Sequence, residues 1–344
     1  MRKMLNVLYV TNPDSYLIKD GETVVIKVND EKIARVPLIN LEGIVCFGYM
    51  GMSPQLMGAC ADRCIGVSFL TPYGKFLARV SGRVSGNVLL RKQQYILSED
   101  EFASAEIAIS CVLGKIINER TVLNRFRRDH ADQVTDAFLE NIDRITEVIE
   151  TVKDLETCDL EVIRGYEGFA TKYYFNCFDS LILSSEEEFA FEVRSKRPPL
   201  NRVNAMLSFI YTLISHDVRS ALETVGLDPQ VGFLHRDRPG RVSLALDLME
   251  ELRPYLGDRL VLTLINNRTI DLTDFTVKEN GAVLLNDDGR KKVLSEWQTR
   301  KKDHVLHPYL NEKIPVGLLP YAQAMIFARF IRGDIDGYPP FIMR

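Results

Sequence analysis

Ser85-Gly-Asn-Val-Leu-Leu-Arg-Lys-Gln-Gln-Tyr-Ile-Leu-Ser98-Glu-Asp-Glu101-Phe-Ala-Ser-Ala-Glu-Ile-Ala-Ile-Ser-Cys-Val-Leu-Gly-Lys-Ile-Ile117 is where the hydrophobic period of the chain changes. Before Ser85-Gly86-Asn87 the apolar residues come in short, partly alternating runs. After it, Phe102, Ile109, Val112, Leu113, Ile116 and Ile117 repeat at helical spacing. Ser98 followed three residues later by Glu101 predicts a capping box at the helix start. Upstream, strands are expected over Leu5–Thr11, Ser15–Lys19, Thr23–Val28, Lys32–Pro37 and Gly43–Phe47, with Asp20-Gly21 and Asn29-Asp30 as hairpin turns. A helix over Ser53–Cys64 leads to two more strands, Gly66–Thr71 and Lys75–Ser81, turning at Pro72-Tyr-Gly74. Downstream, Val134, Phe138, Ile142, Ile145, Ile149 and Val152 predict a second long helix. Helical character dominates to about Tyr255, a hairpin turns at Asn280-Gly281 within Phe275–Leu285, and Leu318–Ile331 is again helical. The fold class is therefore α+β: an N-terminal, mostly β domain over 1–86 and a larger α-helical domain over 87–344, with a small hairpin near 275–285.

The chain has 344 residues, 46% of them hydrophobic and 26% charged, an ordinary globular balance with room for two or three domains. The apolar run Leu5–Val10 is too short for a secretory signal, and no segment is long and apolar enough to span a bilayer. Six cysteines form no CxxC pair; Cys60 and Cys64, at i, i+4, read as packing residues, and the whole set indicates a reducing, cytoplasmic setting with no membrane partner. The net charge of −4 is unevenly spread: residues 129–161 carry −9, leaving +5 on the remainder. Arg63 to Ser98 holds six Lys/Arg and no acid, and further basic clusters lie at Arg120–Arg128, Arg194–Arg202 and Arg290–Lys302. Charge segregated in this way suits a chain that tracks a phosphate backbone, although each cluster alone is also an ordinary solvated face.

Two segments carry the chemistry. From Pro229 to Pro254 a basic, Pro/Gly-marked loop holds His235, and a short helix expected to be capped by Ser243 follows. On it Asp247 and Glu250, at i, i+3, share a face beside the apolar stripe Leu244, Leu248 and Leu252. Acids next to a buried stripe need compensation, which a divalent cation with a phosphate supplies; the alternative is a surface helix with solvated acids. In Leu160-Glu-Val-Ile-Arg-Gly-Tyr-Glu167-Gly-Phe-Ala-Thr-Lys-Tyr-Tyr174, Glu167 shares a helix face with Ile163, Ala170 and Tyr174. Gly165 and Gly168 flank it and allow close approach to the backbone; its alternative is an acid at the core rim paired with Arg164. His130, His216, His304 and His307 have no acid partners in a recognisable frame and read as structural or solvent-exposed.

Gly-Tyr-Glu-Gly-Phe-Ala with Tyr173-Tyr174, then Arg197-Pro-Pro-Leu-Asn-Arg-Val-Asn-Ala-Met-Leu, then Gly226-Leu-Asp-Pro-Gln-Val-Gly-Phe-Leu-His235, then Leu244-Ala-Leu-Asp-Leu-Met-Glu250 occur in an order that closely resembles the CRISPR-associated integrase family, the universal adaptation endonuclease. The Asp274-Phe275 hairpin, the Trp297 region and the final Tyr-Pro-Pro-Phe341 are similar to that family's tail, so the likeness spans essentially the whole chain. The resemblance implies an N-terminal β domain, a helical catalytic domain, a homodimer that joins a small ferredoxin-like partner protein, and a metal held by Glu167, His235 and Glu250, with Asp247 as an additional acid nearby. The β domain is expected to carry the dimer contact, because its apolar strands make a small core that gains from association. Thr171, where a second alanine is usual, and Val242, where proline often precedes the serine, depart from the pattern without touching a ligand position.

Two carboxylates and an imidazole suit Mn²⁺ or Mg²⁺. The activity so implied is metal-dependent insertion of short foreign DNA fragments as new spacers, by attack of a 3′-hydroxyl on a repeat-boundary phosphodiester of double-stranded or branched DNA. Arg194, Lys196, Arg197, Arg202, Arg236, Arg238 and Arg241 are the expected phosphate contacts. Alternatives are a structure-selective nuclease on branched DNA, and a non-catalytic DNA-binding scaffold.

Overall fold

The computed structural model describes residues 6–72, 76–80, 82 and 88–343. Leu5, Tyr73 and Gly74 of the expected turn, and the Ser85-Gly86-Asn87 junction lie outside the described residues. The chain divides into two compact units, residues 1–86 with 285–295, and residues 87–284 with 296–344.

In the first unit the strands are β1 Asn6–Val10, β2 Ser15–Asp20, β3 Thr23–Val28, β4 Glu31–Pro37, β5 Leu41–Phe47, β6 Gly51–Met52, β7 Gly66–Leu70 and β8 Phe76–Val80, with helix α1 at Pro54–Asp62. The two hairpin signals behave as expected: β2 pairs β3 through Gly21 at φ +56°, and β3 pairs β4 through Asn29 and Asp30, both at positive φ. The sheets themselves differ from a run of hairpins. One has the order β4-β3-β2-β6, and the other is β1-β5-β7-β8, in which β1, β5 and β7 run parallel. Those parallel partners are far apart in sequence, and hairpin signals are silent about them. Leu17, Val24, Ile44, Cys46, Leu56, Cys60 and Val67 form the core between these elements. Cys64, read as a packing residue, is instead exposed: it ends the turn after α1 at φ +56° and its side chain points away from the core that holds Cys60.

The second unit is helical: α2 Val88–Glu99, α3 Glu101–Asp129, α4 Asp136–Lys153, α5 Leu160–Asn176, α6 Arg202–Val225, α7 Ser243–Met249 and α8 Arg259–Asn266. After the two-stranded pair β9 Phe275–Val277 and β10 Val283–Leu285 come α9 Asp287–Lys302, whose residues up to 295 belong to the first unit rather than to the expected 87–344 domain, the pair β11 His304–Leu306 and β12 Lys313–Pro315, and α10 Leu319–Ile331. N-terminal β followed by helix-rich architecture is thus observed, and an α+β class describes it. The capping box expected at Ser98 is not formed. Asp100 caps α3 by accepting from the Ala103 amide at 3.0 Å, while the Ser98 hydroxyl donates back to the Tyr95 carbonyl. The helix starts two residues later than the box requires, and Phe102, read as a core position, is 77% exposed.

Helix α3 is the axis of this unit. Its 29 residues are buried on several faces, by α4 and α5 along one side and by the segment after α7 along another. Helix α4 meets it with Phe138, Ile142, Ile145, Ile149 and Val152, the stripe read from the sequence. Burial on more than one side means that α3 carries polar residues inward as well: Lys115, Asn118 and Glu119 are all at most 4% exposed.

Candidate active site

Three buried acids follow one another at the end of α7. Asp247 is the fifth residue of the helix, and Glu250 and Glu251 begin a 3₁₀ turn, Glu250–Leu252, that runs into a single π-helical turn, Arg253–Asp258, before α8. Such a change of helical period rotates successive side chains to different faces, and π turns recur at functional sites. Leu244, Leu248 and Leu252 face the core as expected. The acids are not solvated: Asp247, Glu250 and Glu251 are all buried. Ser243 does not cap the helix; it is the first helical residue, and its hydroxyl donates to the Arg236 carbonyl at 3.2 Å, which ties the His235 loop to α7.

Asp247 organises that loop. Its Oδ2 accepts from the Phe233 and Leu234 amides at 2.7 and 3.1 Å, and its Oδ1 accepts from the His235 amide at 2.9 Å and lies 2.7 Å from His235 Nδ1. A carboxylate with three amide donors has only acceptor capacity left, so Nδ1 carries the proton and, in the neutral ring, Nε2 keeps its lone pair. The loop comes this close only because residue 232 is glycine: a Cβ there would stand 2.7 Å from Ser243 Cβ and 2.8 Å from the His235 carbonyl.

Glu167 and Glu250 meet on a shared cation. The Lys115 ammonium, buried on α3, contacts Glu167 Oε1 and lies 3.0 Å from Glu250 Oε2 and 4.0 Å from Glu119 Oε1. Glu250 Oε1 in turn is 2.9 Å from the Arg253 guanidinium. Burial alone would push the Glu250 carboxyl up, but Arg253, Lys115 and then His235 hold it down at about 2. Glu119 has no such surplus of cations. Burial pushes it up to about 8, with Lys115 opposing and the charges of Glu167, Asp258 and Glu250 adding. Glu167 is not paired with Arg164, whose guanidinium binds Glu161 and the Leu234 carbonyl instead. Thr171, expected to leave the ligand positions untouched, instead donates its hydroxyl to Glu167 Oε1 at 3.1 Å, one helical turn along α5.

A second set of buried groups backs these. Asp258 accepts from Tyr174 at 3.0 Å and Tyr211 at 2.5 Å, and burial pushes its carboxyl up to about 6. The Arg253 and Arg194 guanidinium carbons lie 5.1 and 5.5 Å from the Tyr211 ring centroid. Glu251 is structural: it accepts from Gln323, Tyr338 and the Phe341 amide, and so anchors the C-terminal segment Tyr338–Phe341. His307, buried between Gln323 and the Leu310 amide, belongs to that anchor.

The structure thus joins Glu167 with Glu250 through Lys115, and His235 with Asp247. Among the described residues no three His, Cys, Asp or Glu side chains are gathered closely enough to hold one metal ion together. Their chemistry nevertheless fits a divalent cation: two carboxylates already share a positive charge, Glu250 Oε2 is buried without an aligned hydrogen bond, and His235 Nε2 is the ring's available nitrogen. Lys115, Glu119, Arg253, Asp258 and Tyr211 were missed in the sequence. The only signal for Lys115 and Glu119 was a charged i, i+4 pair inside an apolar helical run.

The expected phosphate contacts fall into two groups. Arg236 and Arg238 are exposed on the His235 loop, with Arg241 partly covered beside them, and Lys196 and Arg197 are exposed before α6. Arg194 turns inward, donating to the Ser195 carbonyl, Asn204 Oδ1 and Ser208 Oγ, so its charge is spent holding the start of α6. Arg202 lies over the Phe275 ring.

Comparison with known proteins decides the family. A family profile described as CRISPR associated protein Cas1 matches residues 8–299. The chain belongs to the Cas1 family. A relative from Chlorobaculum tepidum named CRISPR-associated endonuclease Cas1 1 is 50% identical over 345 residues, covering 100% of both chains. Among solved structures, a casposase bound to integration product has a TM-score of 0.84 at 22% identity, covering 97% of this chain and 93% of that one. A chain of a Cas6-RT-Cas1–Cas2 complex has a TM-score of 0.82 at 20% identity over 99% of this chain and 36% of its own length. At such identities the likeness is one of fold alone. Among the described residues no helix is long and apolar enough to cross a membrane.

Proposed function

We propose that this Cas1-family chain is a metal-dependent DNA integrase that joins the 3′-hydroxyl of a short DNA fragment to a repeat-boundary phosphodiester of a CRISPR array. The observation that carries this reading is the pairing of Glu167 and Glu250 around one buried cation, next to a histidine whose Nδ1 is committed to Asp247. Glu167, His235 and Glu250 would hold Mn²⁺ or Mg²⁺, with Asp247 holding His235 and its loop in place behind them. Once bound, that ion would polarise the scissile phosphate and orient the attacking hydroxyl.

The remaining work falls to the chain itself. Arg253 keeps Glu250 ionised inside a buried pocket. Asp247 holds the His235 ring in one tautomer and one orientation. Arg236, Arg238, Lys196 and Arg197 offer exposed positive charge for phosphates and would position duplex without reading its sequence. No side chain need become a covalent nucleophile, because a DNA hydroxyl serves. A homodimer and a small partner protein are part of the proposal on the family resemblance; a Cas1–Cas2 complex among proteins of the same fold supports the partner, and a casposase bound to integration product supports the joining reaction.

The test is joining of a labelled DNA fragment to a plasmid bearing the repeat, with and without Mn²⁺ or Mg²⁺. Wild type should give metal-dependent joined product and His235→Ala none, while His235→Ala keeps its circular dichroism spectrum, because a half-buried loop ring adds little to the core. Cleaved but never joined DNA would assign a nuclease instead. Binding without either product would leave a scaffold.

A further inference from the structure

We propose that Lys115 is a built-in placeholder for the metal: its ammonium holds Glu167 and Glu250 together in the metal-free chain and moves to Glu119 when a divalent cation takes its place. This rests on the metal reading above.

The ammonium sits between the two carboxylates that a metal would bridge, at 3.0 Å from Glu250 Oε2 and in contact with Glu167 Oε1. Without it, the buried Glu250 carboxylate and the partly exposed Glu167 carboxylate would face each other with Arg253 offsetting Glu250 alone, and their repulsion would drive the pair apart. With it, the same space cannot admit a second cation. Metal uptake therefore requires the ammonium to leave, and a buried ammonium needs another acceptor within reach. Glu119 supplies one. It lies one helical turn along α3 on the same face, its Oε1 is 4.0 Å from Nζ, and its Oε2 is buried with no hydrogen-bond partner. A rotation about the lysine side chain brings the ammonium onto that carboxylate while α3 stays where it is. The orphaned oxygen and the long 4.0 Å contact are what a second, unfilled position for Lys115 looks like. They also account for a fully buried acid that the Glu167, Glu250 and His235 set does not use.

Two substitutions push metal affinity in opposite directions, which a general disturbance of the core would not do. Lys115→Met removes the competing ammonium, and Glu119→Gln removes the carboxyl group that receives it. Isothermal titration calorimetry of MnCl₂ into metal-stripped full-length chain reads both. The placeholder requires Lys115→Met to bind Mn²⁺ about tenfold more tightly and Glu119→Gln to bind it more weakly by a similar factor, the scale typical of groups that act behind metal ligands. In the double variant the Glu119→Gln effect should vanish, since no ammonium is left to receive. If wild type binds Mn²⁺ and a folded Lys115→Met binds it no more tightly, the placeholder is wrong and the metal reading stands. Should Lys115→Met fail to fold, Glu119→Gln decides, and an affinity at or above wild type overturns the proposal. If wild type takes up no Mn²⁺ at all, the metal reading fails and the placeholder fails with it.

Discussion

Replacing Asp247 with asparagine keeps the shape of the side chain and changes only which of its two ends can accept. In the native protein Oδ1 serves the amide and Nδ1 of His235, and Oδ2 serves the amides of Phe233 and Leu234. A carboxamide has one oxygen, so two of the four donors must face an NH₂ group and lose their acceptor. Hydrogen bonds to a charged group are each worth about 1.5–3 kcal/mol, and the lower end applies where a loop can shift, giving a loss of about 3 kcal/mol. For a unit of this size that corresponds to a fall in melting temperature of about 6–12 °C. If the NH₂ end faces the ring, Nδ1 becomes the acceptor and the proton moves to Nε2, which then has no lone pair for a ligand. Thermal unfolding followed by circular dichroism reads the first effect, and nitrogen chemical shifts of the His235 ring read the second. A variant that melts within about 1 °C of wild type, on the same scale, and keeps a protonated Nδ1 would refute the role given to Asp247.

The buried acids predict a pH dependence of stability. Glu119, Glu251 and Asp258 are raised to about 8, 7 and 6, above the ordinary values of 4.5, 4.5 and 3.8. Their contribution is therefore fully present below about pH 4, the ordinary carboxyl range, and is lost as pH rises through 6 to 8. Glu250, lowered from 4.5 to about 2, works the other way: its contribution is present above 4.5 and lost as pH falls toward 2. Melting temperature should thus decline between mildly acidic and mildly alkaline pH, and Glu119→Gln should flatten the upper part of the decline; a wild-type profile that rises over that range contradicts the assignment. For DNA, Arg236→Ala with Arg238→Ala should lower the slope of log affinity against log salt by roughly two, at about 0.9 per phosphate contact, equally for unrelated duplexes. An unchanged slope moves the DNA path off the His235 loop.

Much of this was open to reading in the sequence, and the reasons are local. The switch in hydrophobic period near residue 87, the α4 stripe and the turns at Gly21, Asn29-Asp30 and Gly281 each depend on residues a few positions apart. Glu167, His235, Asp247 and Glu250 stood out because they sit in short segments whose order resembles one family. Tertiary structure decided what no local pattern contains. The parallel pairing of β1, β5 and β7 joins segments separated by a whole second sheet. Arg194 became internal because Asn204 and Ser208 on α6 reach its guanidinium before any phosphate does. Lys115 and Glu119 show in the sequence only as a charged i, i+4 pair, and they are buried because α3 is covered on several sides at once. A charge on a helix has one meaning in water and another between two carboxylates, and only the packing of distant segments determines which of these environments it meets.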